Sequence, residues 1–187
     1  MTGETVKRVR SICLCAVFGC TMELAAALLL GSILAFFPET AAGYQGQMDS
    51  KLAGGMISLF IVAFFSPLFE EAVFRFLLLG VLERKTGFAA ANVIQALIFG
   101  IYHMSVIQGI YAFLLGMLIG LLKHYTGTLI SCICFHVFFN ITGILVNIYM
   151  PAEIGTINRT AAMIAGISVS CVLFILIRRN RCDVQKG

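Results

Sequence analysis

Six side chains of this sequence are of types that do chemistry and stand where water is scarce. Glu70, Glu71 and Arg75 share one apolar run, His103 closes a second, and His136 and Asn140 lie in a third. A seventh, Glu23, sits in the first apolar run, outside any motif. A charge at the centre of a membrane helix costs about 2.5 to 3.5 kcal/mol on insertion scales, so such groups pair, neutralise or face a wet cavity. Glu71 and Arg75 are four residues apart and share a helix face, where an acid preceding a guanidinium forms a charge-assisted pair. Glu70 is turned about 100° away and is the acid left over. A carboxylate, two imidazoles and a carboxamide around a buried water are the groups of water activation: one takes the proton, while the others position the nucleophile or stabilise an oxyanion. Glu70, His103 and His136 could also hold zinc with a position left for water. However, H-E-x-x-H is absent and Asn is a poor zinc ligand, so the residues leave metal use open.

Positioning these groups requires helices in lipid. The chain has 187 residues, of which 60% are hydrophobic and 12% charged, with a mean hydropathy of +0.98. Ordinary soluble domains carry about 25% charged residues, and disorder needs low hydrophobicity with high charge. A formal charge of +4 is too small to argue for a nucleic-acid partner. The expected class is all-α, a polytopic membrane bundle of about six transmembrane helices forming one integral domain over 1–187. Six of the seven cysteines fall inside apolar runs and are read as small hydrophobes, not as a disulfide framework.

The expected spans are 11–37, 52–82, 88–103, 109–122, 128–149 and 160–177, the first two longer than the roughly 20 residues a bilayer demands and the others near it or short of it. The first is too long for a signal-peptide core and is read as a retained helix. The stretch around Pro38 and Gly43 to Ser50 reads as a break between spans. With the N-terminus inside, Lys7, Arg8, Arg10, Arg84, Lys85, Lys123, Arg178, Arg179, Arg181 and Lys186 all fall on the cytoplasmic side, and only Lys51 and Arg159 fall outside. That asymmetry predicts a multi-pass protein with both termini cytoplasmic.

Within the spans, Asn92, Gln95, Phe99 and His103 follow helical spacing, as do His136, Asn140, Gly143 and Asn147, giving two polar stripes. Gly116 and Gly120 form a small-xxx-small pair that lets another helix approach. Pro67 should kink its span, with Ser66 placed to cap the new segment. Counting about 1.5 Å per residue puts Glu70, His103, His136 and Asn140 within a turn or two of one depth. On that count His136 is nearest the cytoplasm, so the expected cavity opens there. Glu23 reads as an interhelical contact or a protonated acid, and His124 as a solvated loop residue.

Three segments together resemble the CAAX-protease and bacteriocin-processing (Abi) family of intramembrane proteases, related to type II CAAX prenyl endopeptidases. The family pattern E-E-x-x-x-R, F-x-x-x-H, H-x-x-x-N occurs in order as E-E-A-V-F-R at Glu70 to Arg75, F-G-I-Y-H at Phe99 to His103 and H-V-F-F-N at His136 to Asn140. The resemblance covers a core of about residues 64–147. It departs where many members place Gly after the Arg and this chain has Phe76. It implies that Glu70 activates water together with His103, that His136 and Asn140 complete the pocket and stabilise the oxyanion, and that Glu71 with Arg75 supports the site, although the family often counts both acids as essential. It also implies a membrane-associated peptide or lipid-modified protein as substrate and leaves a divalent metal such as zinc open. Two readings from other classes stand beside it: a small proton-coupled transporter, and a non-catalytic peptide-binding immunity protein.

Overall fold

The computed structural model describes residues 3–150 and 156–180. Among them are seven helices and no strand: α1 Gly3–Leu34, α2 Pro38–Leu52, α3 Gly55–Thr86, α4 Phe88–Tyr102, α5 Val106–Thr126, α6 Leu129–Tyr149 and α7 Thr156–Arg179. Segments of α1, α3, α5, α6 and α7 are long and apolar enough to cross a bilayer. The third expected span is α4, a helix of only 15 residues, while the fourth is longer than the sequence suggested and fills Val106–Thr126. Both α1 and α3 pack against α6, α1 also packs against α7, and α4 lies between α3 and α5.

The expected break after the first span is instead a helix. Pro38 occupies the first turn of α2, where its missing N–H costs nothing, Glu39 lies in that turn and Lys51 in the last. Ala41, Tyr44 and Met48 recur at helical spacing, are less exposed than their neighbours and turn toward the bundle.

The two ends of the bundle differ in charge. Asn180 Nδ2 donates to the Lys7 carbonyl at 2.9 Å and to Ser11 Oγ at 2.8 Å, tying the end of α7 to the start of α1. The Arg178 guanidinium lies 5.6 Å from the Tyr125 ring centroid, and Phe88 stacks on His124 at 4.1 Å. His124 is therefore packed and half-buried, not simply solvated. These contacts gather Lys7, Arg8, Arg10, Arg84, Lys85, Lys123, Arg178 and Arg179 at one end. Arg181 and Lys186 lie outside the described residues. At the other end, Lys51 Nζ donates to Gln108 Oε1 at 2.9 Å, fastening α2 to the start of α5.

Small residues set the close approaches. A Cβ on Gly116 would press on Ala96 and Phe99, and one on Gly120 would collide with the Asn92 side chain. The α4 stripe uses that proximity: Asn92 Nδ2 donates to the Met117 carbonyl at 3.0 Å, and Gln95 Nε2 to the Gly116 carbonyl at 3.0 Å. In lipid, where apolar burial drives little association, such bonds hold helices together.

Candidate active site

Helix α3 presents the two acids from a short α-helical stretch, Ser66–Glu71, between two π-helical segments, Ile61–Phe65 and Ala72–Leu78. The expected cap by Ser66 does not form. Its backbone N–H donates instead to the Ile61 carbonyl five residues back, so the helix runs on through a widened turn. The next bond of that wide register would run from residue 67 to the Val62 carbonyl, and Pro67 has no N–H to make it. Asn140 Nδ2 from α6 supplies the donor, 2.9 Å from Val62 O. One N–H of the family-motif amide thus closes the turn that Pro67 opens.

Behind the site, Glu71 and Arg75 are fully buried, and Glu71 Oε1 meets Arg75 Nη1 at 3.2 Å, a charge contact outside hydrogen-bond alignment. Arg75 also lies over the Phe99 ring, 4.5 Å from its centroid, so the positive charge is met by a carboxylate and a π face. Phe99 is fully buried and makes edge contacts with Phe74 at 4.8 Å, His103 at 4.8 Å and His136 at 6.2 Å. The aromatic of F-x-x-x-H is therefore the packing hub of all three motifs.

Glu71 has a second partner. Its Oε1 lies 2.7 Å from His136 Nδ1. A carboxylate accepting from Nδ1–H fixes the tautomer of the ring, and the opposite nitrogen then carries the lone pair. That nitrogen, Nε2, faces Glu70 Oε2 at 3.7 Å. This distance exceeds a direct hydrogen bond and suits two groups that share a small molecule beside them.

Glu70, His103, His136 and Asn140 line one cavity of about 370 Å³, together with Glu23, Tyr111, Lys51 and Gln108. All four expected pocket residues are brought together. His103 Nδ1 contacts the Phe99 carbonyl at 2.9 Å, which turns its Nε2 edge away from that backbone. Glu71 and Arg75 stand behind the wall and do not line the cavity. Of the α4 stripe only His103 reaches the cavity, whereas the α6 stripe contributes His136, Asn140 and Gly143. Glu23 accepts a hydrogen bond from Tyr111 Oη across α1 and α5, the interhelical contact expected of it. Together they stand where this cavity adjoins a second, larger one of about 790 Å³. Spacing gave no signal for Tyr111 or Gln108.

The zinc set considered from sequence does not assemble. No three His, Cys, Asp or Glu side chains among the described residues are placed to share one ion, since Glu70 and His136 approach each other without a third donor.

The lining residues also place the cavity relative to the two ends of the bundle. On α3 they are Val62, Ser66 and Glu70, on α5 Gln108 to Leu115, and on α6 His136 to Ile144. The α3 and α5 residues come from the halves that begin at the α2 end, and α2 itself adds Tyr44, Met48 and Lys51. The cavity therefore lies toward α2, away from the basic end. Counting residues from the start of α6 made His136 look shallow, but the ring points toward Glu70, deeper in the bundle. At this mouth the Lys51 ammonium is pulled below its ordinary pKa by desolvation, against the opposing pull of Glu70.

Five helices long and apolar enough for lipid, with the shorter α4 among them, make a polytopic membrane bundle in which a carboxylate and two imidazoles line one void. Residues 52–142, just under half of the chain, match the family described as "Type II CAAX prenyl endopeptidase Rce1-like", so this segment is similar to a family of membrane proteases. No curated protein and no solved structure among those compared matches the chain.

Proposed function

We propose that the chain is an intramembrane endopeptidase that hydrolyses a peptide bond in a membrane-associated or lipid-linked substrate with water activated by Glu70. The observation that carries this reading is the Glu70 carboxylate at the cavity wall, 3.7 Å from a His136 ring whose far nitrogen is anchored on Glu71. Water held between Glu70 and His136 gives its proton to Glu70 as its oxygen bonds to the scissile carbonyl carbon. The resulting oxyanion is met by donors from His103 and by the second N–H of Asn140, the first being engaged on Val62. Glu70 then returns the proton to the leaving amide nitrogen, the C–N bond breaks, and a carboxyl and an amine product result. Glu71 and Arg75 act through His136: they set its tautomer and keep charge balanced behind the wall.

The second reading, a proton-coupled carrier, draws support from the two π-helical segments that interrupt α3 beside a titratable cavity. Comparing peptide termini in membranes of cells carrying the wild-type chain and the Glu70→Gln variant separates the two. The peptidase reading expects termini present only with the wild type. Identical termini, with Glu70-dependent proton flux in proteoliposomes, favour the carrier.

A further inference from the structure

A serine or threonine hydroxyl inside a helix can turn back onto the carbonyl four residues earlier. Five do so in this bundle: Ser32, Thr86, Thr126, Thr142 and Ser168 donate to that carbonyl at 2.7 to 3.0 Å. Ser66 does not. The carbonyl four residues before it is that of Val62, and the donor there is Asn140 Nδ2 from α6, at 2.9 Å. Among the described residues no group is hydrogen-bonded to the Ser66 hydroxyl, and Oγ is not one of the polar atoms sealed inside the packing. Ser66 lines the catalytic cavity in one stripe with Val62 and Glu70, each four residues from the next. The hydroxyl is therefore a free donor opening onto the void, one turn before the acid.

The two groups that hold the water in the peptidase reading are both acceptors. Glu70 offers a carboxylate oxygen, and His136 offers the Nε2 lone pair, because its Nδ1 hydrogen is engaged on Glu71. A water that gives one hydrogen to each keeps two lone pairs, and nothing on those two groups orients them. Side chains four apart on a helix have Cβ atoms about 5 to 6 Å from each other, a gap that one water bridges. We propose that the Ser66 hydroxyl donates a hydrogen bond to one lone pair of the attacking water and so aims the other at the scissile carbonyl carbon. The assignment rests on the peptidase reading and adds to it a group from outside the three motifs. Ser66 keeps its proton throughout: the new C–O bond uses the water's other lone pair, and the proton that leaves the water goes to Glu70. By serving Val62 from α6, Asn140 leaves this hydroxyl to the water.

The first measurement needs no substrate. The full chain carrying Ser66→Cys is purified in detergent and treated with aminoethyl methanethiosulfonate, a small thiol reagent carried by water. Phe65→Cys, at a position 60% exposed on the outside of the bundle, is the comparison, and the unsubstituted chain gives the background from its own seven cysteines. Ser66→Cys is expected to gain an adduct above that background and faster than Phe65→Cys. No extra adduct, or a rate no higher than that of Phe65→Cys, overturns the proposal. The second measurement follows how fast Glu70-dependent peptide termini appear in membranes of cells holding equal amounts of each variant. Ser66→Ala should slow them by about 10- to 100-fold, a shallower loss than that of Glu70→Gln, with the unfolding midpoint unchanged. Ser66→Thr keeps the hydroxyl and should recover most of the rate. A wild-type rate in Ser66→Ala, or a loss in Ser66→Thr as deep as in Ser66→Ala, overturns the donor role. If no terminus depends on Glu70 while the Ser66→Cys adduct forms as expected, the peptidase reading falls and the donor role with it, but the hydroxyl still faces water.

Discussion

Glu71 Oε1 and His136 Nδ1 lie 2.7 Å apart inside a wall that neither Glu71 nor its partner Arg75 breaches. The contact divides two neighbouring acids into different roles. Glu71 is committed to orienting the ring and balancing Arg75, and Glu70, one residue earlier, is left facing the void.

That division predicts separable effects at the two positions. Glu70→Gln keeps the shape and removes the base, so peptide turnover should fall by about 10²- to 10⁴-fold with the thermal unfolding midpoint in detergent essentially unchanged. His103→Ala should lose turnover in the same way. Full turnover by either variant would contradict the assignment.

Glu71 and Arg75 should behave as a coupled pair in stability. Removing one member strands a buried charge, at a cost of about 3 to 5 kcal/mol, whereas replacing both leaves none to strand. Glu71→Gln and Arg75→Met are each expected to lower stability, and the double variant to lie above their sum. Unfolding in a denaturing detergent titration measures the cycle; additive losses would mean the 3.2 Å contact carries no coupling.

Asn140 has a structural duty that a catalytic motif alone would not reveal. Asn140→Ala leaves the Val62 carbonyl without its donor, a loss of about 1 to 3 kcal/mol. Pro67→Ala restores a backbone N–H at the place where the bond is missing, so the Pro67→Ala/Asn140→Ala variant should regain stability. Turnover should stay low if the same amide also serves the oxyanion. Recovery of both together would reduce Asn140 to a support for the turn.

Chelator treatment of the purified protein should leave turnover unchanged, because Glu70 and His136 lack a third donor to complete a metal set among the described residues. Turnover lost on chelation and regained with added zinc would show that His103 swings in to join them.

Much of this was legible in the sequence because it rests on local periodicity. The interval between Glu71 and Arg75, the small residues Gly116 and Gly120, and the polar positions Asn92 and His136 announce themselves by helical spacing in an apolar background. The pairing of Glu71 with His136 was not legible, since the residues are 65 positions apart and only the packing around Phe99 brings them together. Helix α2 was concealed by its glycines and polar residues, which read as a loop until its inward face meets the bundle. The duty of Asn140 was hidden for a third reason. It answers a bond missing in another helix, and that vacancy exists only once the turn before Pro67 has widened into π geometry.

The brevity of α4 has a mechanical corollary. Its 15 residues extend only about 22 Å, against a hydrocarbon layer of roughly 30 Å, and it ends at His103, where Met104 is 89% exposed. Lipids beside that end must dip to meet it, which draws headgroups and water down toward the Glu70 chamber. Acyl-chain length thereby becomes a tuning parameter: after reconstitution, rates should rise as the phosphatidylcholine tails shorten toward the reach of this helix and decline in thicker sheets.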